Sequence, residues 1–428
     1  MADCRQDVGS TSGCNVSALV DCLSHETAKV FLKGGRRSIM PEQTLARLMP
    51  LLEAVGITRI ANVTGLDRIG IPVINVCRPN SRSLAVYQGK GATLASAKAS
   101  GLMESFERYH AEFCRPPELT ETYSTLQAAA PTIDAASLPL RKDAHFNAEQ
   151  SRDWLQGVNL LSRQPVWVPY EIVHFDTAQQ SSADYCFASA STGLAAGNSL
   201  SEAILHGMCE VIERDCSTLW RLRMPVLQNL SRVDPATIDD PLANELVDAI
   251  RAADLNLAVW DTTSEIGIAS FICRIAEPEG ADPMPYELLD AAGCHPVREV
   301  ALARAILEAA QGRATMISGA RDDLFYNYYE ANDAQTAANL REGVLSGPCH
   351  KAFQKVKTFD GSTIEADIRH VLDRLSSAGF SQVIAVNLTR EDIGLPVVRI
   401  VIPELEDGEL AEDYVPRNRA IAAFRGLQ

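Results

Sequence analysis

The architecture of this chain is organised around the segment Asn198-Ser-Leu-Ser-Glu202-Ala-Ile-Leu-His206-Gly-Met-Cys-Glu210-Val-Ile-Glu213-Arg214. At about 3.6 residues per turn, its three glutamates and His206 lie within one stripe of a helix, while apolar residues cover the rest of the surface. A helix that is apolar on most of its circumference is buried. Its carboxylates must then be paired, protonated or bound to a metal ion, because an unpaired buried charge is very costly.

A second segment, further upstream, repeats this pattern. It reads Lys98-Ala-Ser100-Gly-Leu-Met-Glu104-Ser-Phe-Glu107-Arg108-Tyr-His. Ser100, Glu104 and Glu107 are four and three residues apart, so they again lie in one stripe of a helix. An isolated pair of glutamates three residues apart usually marks a solvated helix face. The apolar surroundings and the duplication favour two facing helices that form a multi-carboxylate cage, which suits Mg²⁺ and a polyphosphate. A further alternative is an interaction scaffold whose stripes are helix-pairing seams, which would bind no ATP.

The bulk composition is that of a soluble globular protein. The chain has 428 residues, of which 46% are hydrophobic and 22% charged. Its formal net charge of −16 argues against a nucleic-acid-binding surface. No apolar run is long enough to span a bilayer, and the N-terminus lacks the apolar segment of a signal peptide. The eleven cysteines are odd in number and form no CxxC pair, which favours a cytoplasmic location.

Three parts are expected along the chain. Residues 1–32 are predicted to be a loosely attached N-terminal arm, residues 33–405 the main domain, and residues 406–428 a C-terminal tail. Helices and strands alternate without a regular βαβ rhythm, so the predicted class is α+β, with mixed α/β packing, rather than a doubly wound Rossmann sheet. The clearest predicted elements are helices over 41–55, 94–113, 242–252, 297–313 and 364–378, and strands over 59–63, 73–77, 84–87, 383–388 and 397–402.

One glycine-rich segment, Gln88-Gly89-Lys90-Gly91-Ala-Thr93, invites comparison with a phosphate-binding P-loop. The comparison fails, because Leu84 stands where that loop needs its first glycine, and neither serine nor threonine follows Lys90. No GxGxxG follows a predicted strand either. A nucleotide bound by this chain would therefore be held by a less common arrangement.

Several long motifs resemble those of the YcaO superfamily and occur in the same order. They are Gly89-Lys90-Gly91 with Ala99-Ser100 through Glu107-Arg108, Ser191-Thr-Gly193-Leu-Ala-Ala-Gly197-Asn198 running on to Asp215, and Glu308-Ala-Ala-Gln311-Gly-Arg313 with Ser318-Gly-Ala-Arg321-Asp322-Asp323. The stretch from Gly56 to Val73 is similar to members that work on peptides. The resemblance covers roughly residues 33–405 and implies a YcaO-type fold, in which helices carrying a carboxylate-lined ATP and Mg²⁺ site pack on mixed sheets.

The family resemblance implies an ATP- and Mg²⁺-dependent enzyme that activates a backbone amide of a peptide or protein. The amide oxygen becomes phosphorylated by ATP, and a nucleophile then replaces that oxygen. A Cys, Ser or Thr side chain gives an azoline ring, sulfide gives a thioamide, and another amide nitrogen gives an amidine ring. A non-catalytic ATP-binding accessory protein is the remaining alternative.

The resemblance also implies which residues form the site, without naming a catalytic nucleophile. The expected metal ligands are Glu104, Glu202, Glu210 and Glu213. The expected nucleotide contacts are Arg37, Thr44, Ser100, Glu107, Asn198, Arg214, Gln311 and Arg321. Near Arg37, Lys33 and Arg36 are equally placed in the sequence to serve.

The product and the partner are predicted from features that some relatives have and this sequence lacks. The chain has no fused domain for leader-peptide capture and no proline-rich C-terminal ending of the kind common among azoline-forming members. These differences favour a stand-alone member that forms thioamides together with a TfuA-type protein, although a separate leader-binding partner is an alternative. A peptide or protein substrate and a homodimer are expected by resemblance.

Overall fold

The N-terminal segment of the chain is packed against the rest of the molecule. The structure, a computed structural model, describes residues 9–177, 185–188, 190–281, 289–324, 334–407 and 414–425. It begins with α1 (Gly9–Cys22), the hairpin strands β1 (Val30–Leu32) and β2 (Gly35–Arg37), and α2 (Pro41–Leu48). Leu19 and Leu23 are only 1% and 6% exposed and belong to a large apolar cluster. These two leucines anchor the end of the predicted arm in the core, and the boundary at residue 32 stays a prediction.

A three-stranded antiparallel sheet and a long helix form the next unit. Its strands are β3 (Arg59–Asn62), β4 (Val73–Cys77) and β5 (Val86–Lys90), in that spatial order. The first carboxylate helix, α3 (Leu94–Glu112), follows at once, and the Thr93 side chain caps it by accepting a hydrogen bond from the Ser96 amide. The strand predicted at 84–87 corresponds to β5, which begins two residues and ends three residues later along the chain, at Lys90.

The central part of the chain contributes most of the largest sheet. Its elements are β6 (Leu119–Thr122), α4 (Tyr123–Ala129), β7 (Ser151–Asn159), β8 (Gln164–Pro169) and β9 (Leu194–Ala196). The second carboxylate helix, α5 (Leu200–Arg221), starts four residues after β9. Gly197 lies in that short connection, and a Cβ there would come within 2.4 Å of the Ala203 amide nitrogen. The tight turn from strand to helix therefore requires glycine at this position.

A second unit of three antiparallel strands and a helix follows, so that its topology matches that of the first. After α6 (Pro225–Asn229), β10 (Val233–Asp234) and α7 (Pro241–Ala252) come the strands β11 (Asn256–Asp261), β12 (Ser270–Ala276) and β13 (Ala291–Cys294). The helix α8 (Arg298–Ser318) then packs on β13. The third long helix predicted from the sequence thus occupies the place in its unit that α3 occupies in the first.

The last elements complete the largest sheet. They are α9 (Ala334–Ser346), β14 (Lys351–Ala352), α10 (Ile364–Ser377), β15 (Ile384–Asn387), β16 (Val397–Val401) and α11 (Asn418–Phe424). The six-stranded sheet has the order β6-β7-β15-β16-β9, with β8 paired to β7, and β9 lies at its edge. The only parallel pairing among the described strands joins β10 to β14. The mixed architecture predicted from the sequence is confirmed.

The core lies on both faces of the six-stranded sheet. Along β16, Val397 packs in the cluster that includes α3, whereas Val398 and Ile400 pack in the cluster that includes α5. Because successive strand residues point to opposite faces, the two carboxylate helices cover opposite sides of one sheet. None of the helices within the described ranges combines the length and the apolarity needed to cross a membrane.

The start of the predicted C-terminal tail is buried. Glu406 is 0% exposed, and its carboxylate accepts hydrogen bonds from the Ala420 amide and the Tyr414 hydroxyl. Arg419 forms an ion pair with Asp215 of α5, with an Nη2–Oδ2 distance of 2.7 Å. Glu406 and the Arg419–Asp215 ion pair therefore hold the described part of the tail against the domain.

The Gly-Lys-Gly segment has a packing role that a test can isolate. A Cβ on Gly89 would lie 2.1 Å from the Ala97 carbonyl oxygen and 2.2 Å from the Gly101 nitrogen, so Gly89→Ala forces β5 away from α3. We expect this substitution to lower the free energy of unfolding by about 1–3 kcal/mol in urea titrations. Gly65→Ala is the matched control, because nothing lies within 4 Å of its Cβ position. Equal stability of the two variants would contradict the proposed close contact.

Candidate active site

Carboxylates from both carboxylate helices meet at the free edge of β9. Glu107 of α3 accepts a hydrogen bond from the Ala196 amide at 2.8 Å. Glu210 of α5 accepts one from the Gly193 amide at 3.2 Å. Because α3 and α5 cover opposite faces of the sheet, the edge strand is the place where their acidic stripes converge.

The second strand-and-helix unit brings further charged groups to the same place. Glu213 of α5 accepts a hydrogen bond at 2.9 Å from the amide of Cys294, the last residue of β13. On α8, Glu308 pairs with Lys90 at the end of β5, with an Nζ–Oε2 distance of 2.7 Å. We refer to the acidic residues of this region together as the carboxylate cage, which consists of Glu104, Glu107, Glu210, Glu213 and Glu308.

Three of the cage carboxylates, Glu107, Glu210 and Glu213, are shifted towards their protonated forms. Burial raises the pKa of Glu107 to about 8, and the charges of Glu210 and Glu104 add to the rise. Burial likewise raises the pKa of Glu210 and, together with the charge of Glu308, that of Glu213. For Glu308 burial also acts to raise the pKa, but Lys90 and Arg214 outweigh it and the pKa is lowered. The cage is thus short of positive charge, which a bound cation would supply.

The donor set of the cage fits Mg²⁺ only together with oxygen atoms from another source. Within the described ranges, no three Asp, Glu, His or Cys side chains lie close enough to one another to hold a metal ion. Mg²⁺ is ordinarily held by one or two carboxylates, with water and substrate phosphates completing its shell. Residues of the cage could therefore hold the ion jointly with a phosphate, and the assignment of Glu104, Glu210 and Glu213 as ligands stays a prediction.

Cationic side chains surround the cage. Arg214 lies 3.7 Å from Glu210, and the charges of Glu213 and Glu210 outweigh burial and raise its pKa. Arg321 forms a fork with Asp323, with an Nε–Oδ1 distance of 2.7 Å, and the charge of Glu104 also acts on it. Two further predicted residues lie on cage helices: Ser100 precedes Glu104 by one turn, and Gln311 follows Glu308 by one turn.

The carboxylate of Glu202 belongs to a separate group of contacts. It accepts hydrogen bonds from Arg37 Nη1 at 3.2 Å, from the Ser38 amide and hydroxyl at 3.0 and 2.7 Å, and from Asn198 Nδ2 at 3.1 Å. Thr44 donates to Asn198 Oδ1 at 3.1 Å. Glu210 follows Glu202 by eight positions along α5, a rise of about 12 Å, so Glu202 lies away from the cage, and its assignment as a metal ligand stays a prediction. The structure thus brings Arg37, Thr44, Asn198 and Glu202 together, but not beside the cage.

The contacts also distinguish the three basic residues of the hairpin region. Lys33 pairs with Glu245, and both side chains are at least half exposed. Arg36 pairs with Asp360 at 3.2 Å and lies over the ring of Phe31. Among these three, Arg37 is the one that contacts a predicted site residue, Glu202.

A pocket adjoins Glu202 between α5, α8 and the β1–β2 hairpin. It encloses about 480 Å³, including the open space at its mouth, and its polar lining comes from Arg36, Arg37, Glu202, His206, His295 and Arg304. Burial, followed by the charge of Arg304, lowers the pKa of both histidines well below the usual value. Both are therefore neutral at pH 7.

The histidine tautomers follow from the donors beside them. Arg304 Nη1 donates to His206 Nδ1 at 3.2 Å, and the Val297 amide donates to His295 Nδ1 at 3.0 Å. Each ring consequently carries its proton on Nε2. With two imidazole N–H groups and several guanidinium groups, the pocket is rich in donors and suits the acceptor atoms of a nucleotide.

Several members of this site were not predicted from the sequence. Lys90 and Glu308 both lie in recognised motifs, but nothing in the local sequence shows that a strand end and a helix bring them to 2.7 Å. His206 lies on the acidic stripe, but its position there does not indicate which side chains it contacts. His295 and Arg304 carry no local signal, because each reaches the pocket only through the packing of α8 on β13.

The fold and the site define a member of the YcaO family. Residues 88–406 match the family model described as YcaO cyclodehydratase, ATP- and Mg²⁺-binding. The chain therefore belongs to the YcaO family, and the prediction of ATP and Mg²⁺ as its cofactors is confirmed by this membership. The family is described as cyclodehydratase, an ATP-dependent peptide-modifying class.

Two curated proteins illustrate the relationship. An uncharacterised protein encoded in the tfuA 3′ region of Rhizobium leguminosarum bv. trifolii is 34% identical over 401 residues, covering 92% of this chain and 94% of its own. An uncharacterised protein of Methanothermobacter thermautotrophicus is 33% identical over 375 residues, covering 86% and 95% of the two chains.

Solved structures share the fold. YcaO from Methanopyrus kandleri, bound with AMPPCP and Mg²⁺, superimposes with a TM-score of 0.73 at 23% identity, covering 91% of this chain and 98% of its own. A heterocyclase in complex with substrate and cofactor gives a TM-score of 0.74 at 23% identity and 90% coverage of this chain. This chain spans about half of that heterocyclase, 54% of its length.

The raised pKa of Glu107 predicts a specific pH dependence. The folded protein keeps a proton on Glu107 that the unfolded chain releases near pH 4.5, so the contribution of this group to stability falls as the pH rises towards about 8. Without nucleotide or Mg²⁺, Glu107→Gln should be more stable than wild type at pH 8 by about 1–3 kcal/mol. Urea unfolding at pH 6 and pH 8 measures the difference.

The control for this prediction is Glu42→Gln, which changes an exposed glutamate in the first turn of α2. It should leave the wild-type pH slope unaltered. A Glu107→Gln variant that loses as much stability as wild type between pH 6 and pH 8 would show that Glu107 does not titrate in this range.

Proposed function

We propose that this protein uses ATP and Mg²⁺ to activate a backbone amide of a peptide or protein, and that it forms a thioamide together with a TfuA-type partner. The observation that carries the proposal is the carboxylate cage at the edge of β9, with Lys90, Arg214 and Arg321 beside it. Such a cage suits Mg²⁺ and a polyphosphate, and phosphoryl transfer depends mainly on positioning and electrostatics.

The chemical step is a transfer of the terminal phosphoryl group followed by substitution. The amide oxygen attacks the γ-phosphorus, the bond to the β,γ-bridging oxygen breaks, and ADP leaves. Hydrosulfide then adds to the activated amide carbon, and the carbon–oxygen bond breaks to release inorganic phosphate. The balance is amide, ATP and hydrosulfide giving thioamide, ADP and phosphate, with no change of oxidation state.

The residues of the chain contribute binding and charge to this step. Arg214 and Arg321 would offset the negative charge of the transferring group, because a guanidinium presents a planar fork to phosphate oxygens. The donors around Glu202 and in the adjoining pocket would hold the rest of the nucleotide. Mg²⁺ bound by cage carboxylates would neutralise phosphate charge. No side chain of the chain itself acts as the nucleophile.

The relative from the tfuA 3′ region aligns with nearly the whole of this chain, which supports a TfuA-type partner and, through that partner, the proposal of a thioamide product. Azoline formation is the second candidate, supported by the description of the family as cyclodehydratases. In that case a Cys, Ser or Thr side chain of the substrate attacks the amide carbon, and the resulting oxygen takes the phosphoryl group before it leaves. Cytoplasmic location, a homodimer and the domain bounds 33–405 remain proposals alongside these.

The product can be identified by mass spectrometry of peptides from the native host. We compare a strain lacking the gene, the same strain complemented with the wild-type gene, and one complemented with Glu213→Gln. A backbone site that is heavier by the exchange of oxygen for sulfur, present only with the wild-type gene, is the expected result. Deleting the neighbouring TfuA-type gene, where the host has one, should abolish the same mass shift.

Other outcomes of this experiment distinguish the alternatives. A site lighter by one water at Cys, Ser or Thr would establish azoline formation and overturn the thioamide proposal. If no peptide differs in mass while the purified protein still binds ATP, the accessory role replaces the enzymatic one.

The cage makes its own prediction for nucleotide binding. Glu213→Gln keeps an acceptor for the Cys294 amide but removes a charge that a metal ion needs, so affinity for an ATP analogue in the presence of Mg²⁺ should fall by about 10- to 100-fold. Isothermal titration calorimetry measures the change. The control Glu118→Gln alters a glutamate that pairs with Arg115 outside the cage. Equal affinities for both variants would remove Glu213 from the site.

A further inference from the structure

Arg399 lies in the six-stranded sheet, one strand in from the edge that carries the cage. It is paired with Leu194 of β9 and with Val386 of β15. Only 5% of the residue is exposed. In the neighbouring strand β9, the Ala196 amide donates to Glu107. The amide of Gly193, just before β9, donates to Glu210. None of the sequence motifs that point to the nucleotide site includes this arginine.

The guanidinium of Arg399 has unused hydrogen-bonding capacity. Its Nη2 donates to the Ala190 carbonyl oxygen at 2.5 Å. Its Nε and Nη1 are buried and have no hydrogen-bond partner. A buried donor left without a partner costs about 1–3 kcal/mol, and more when the group is charged. Such a group in a folded protein calls for an explanation, and a ligand that arrives with acceptor atoms is one.

An anion is the ligand that matches Arg399, because a guanidinium is positively charged and has only donors. Burial lowers the pKa of Arg399 to about 10, against the opposing influence of Asp407 and Glu210. Asp407 is itself engaged, since it accepts a hydrogen bond from the Thr192 hydroxyl at 2.9 Å. Arg108 and Arg214 both act on Glu210. The charges of Arg108, Arg214 and Arg399 therefore all interact with that of Glu210.

We propose that Arg399 binds a tetrahedral phosphoryl group at the Glu210 end of the carboxylate cage, either as the terminal phosphate of the nucleotide or as the phosphate released after transfer. The inference rests on the proposed function, because it takes the cage as the place of phosphoryl transfer. The unpartnered N–H groups of Arg399 can donate to phosphoryl oxygens, and their fixed planar arrangement is one that a lysine ammonium does not provide.

The test compares ligands that differ by one phosphate. Calorimetry in Mg²⁺ measures the affinities of wild type and Arg399→Met for ADP and for an ATP analogue with a methylene bridge between its β and γ phosphates. Inorganic phosphate is then titrated into each ADP complex. We expect Arg399→Met to lower the affinity for the analogue or for the added phosphate by about 10- to 100-fold, while the affinity for ADP stays unchanged. The ligand whose affinity falls shows whether Arg399 contacts the terminal phosphate of the nucleotide or the free phosphate.

Two further variants separate binding from folding. Arg399→Lys keeps the charge and loses the planar set of donors, so it should lower the affinity for the same ligand by an intermediate factor. Arg59→Met changes an exposed arginine on β3 and should match wild type for all ligands. Thermal melting of each variant shows whether the fold is retained.

The opposite results are equally clear. If Arg399→Met binds the analogue and phosphate as wild type does, or loses ADP affinity to the same extent, Arg399 has a structural role only and the inference falls while the proposed function stands. If the wild-type protein binds neither nucleotide, the inference and the proposed function fall together.

Discussion

The burial of several like-charged carboxylates at one strand edge is the constraint on which the rest of this structure depends. Glu107 and Glu210 come from helices on opposite faces of the sheet, and each is held in place by a backbone amide at or next to β9. Their mutual repulsion and loss of hydration oppose folding of the ligand-free protein, as the raised pKa values show. A fold that keeps such a cluster stores binding energy for a divalent cation and a polyphosphate.

Close packing between strands and helices makes the convergence possible. Gly89 faces Gly101 on α3, and Gly293 of β13 would place a Cβ 2.2 Å from the Ala301 carbonyl oxygen on α8. Both helices therefore lie directly on the last strand of a three-stranded antiparallel sheet. This repeated arrangement brings Lys90 and Glu308, one from each unit, to the same cleft. The glycine-rich segment that resembled a P-loop thus serves packing, while the lysine between its glycines reaches the cage.

Two regions of the cleft differ in chemistry. At the cage end, acidic groups exceed the cations that contact them, so a metal ion and phosphates complement it. Near Glu202, the carboxylate is saturated by four donors and the adjoining pocket offers mainly N–H groups. A nucleotide with its metal ion complements both regions. Its acceptor atoms suit the donors near Glu202, and its cation-bound phosphates suit the cage. The distance of about 12 Å between Glu202 and Glu210 suits such an extended ligand.

Local periodicity made part of this site predictable. The stripes on α3 and α5 follow from residue spacing alone, because every residue in a helix advances by the same angle. The predicted bounds of the first carboxylate helix, 94–113, were accordingly close to those of α3, and the order of the motifs led to the correct family and cofactors. Contacts between distant segments were not predictable in this way. Three such features depend on how sheets and helices pack: the pairing of Lys90 with Glu308, the separation of Glu202 from the cage, and the unpartnered donors of Arg399. The residues involved lie on different elements, and only the folded core holds those elements at fixed distances.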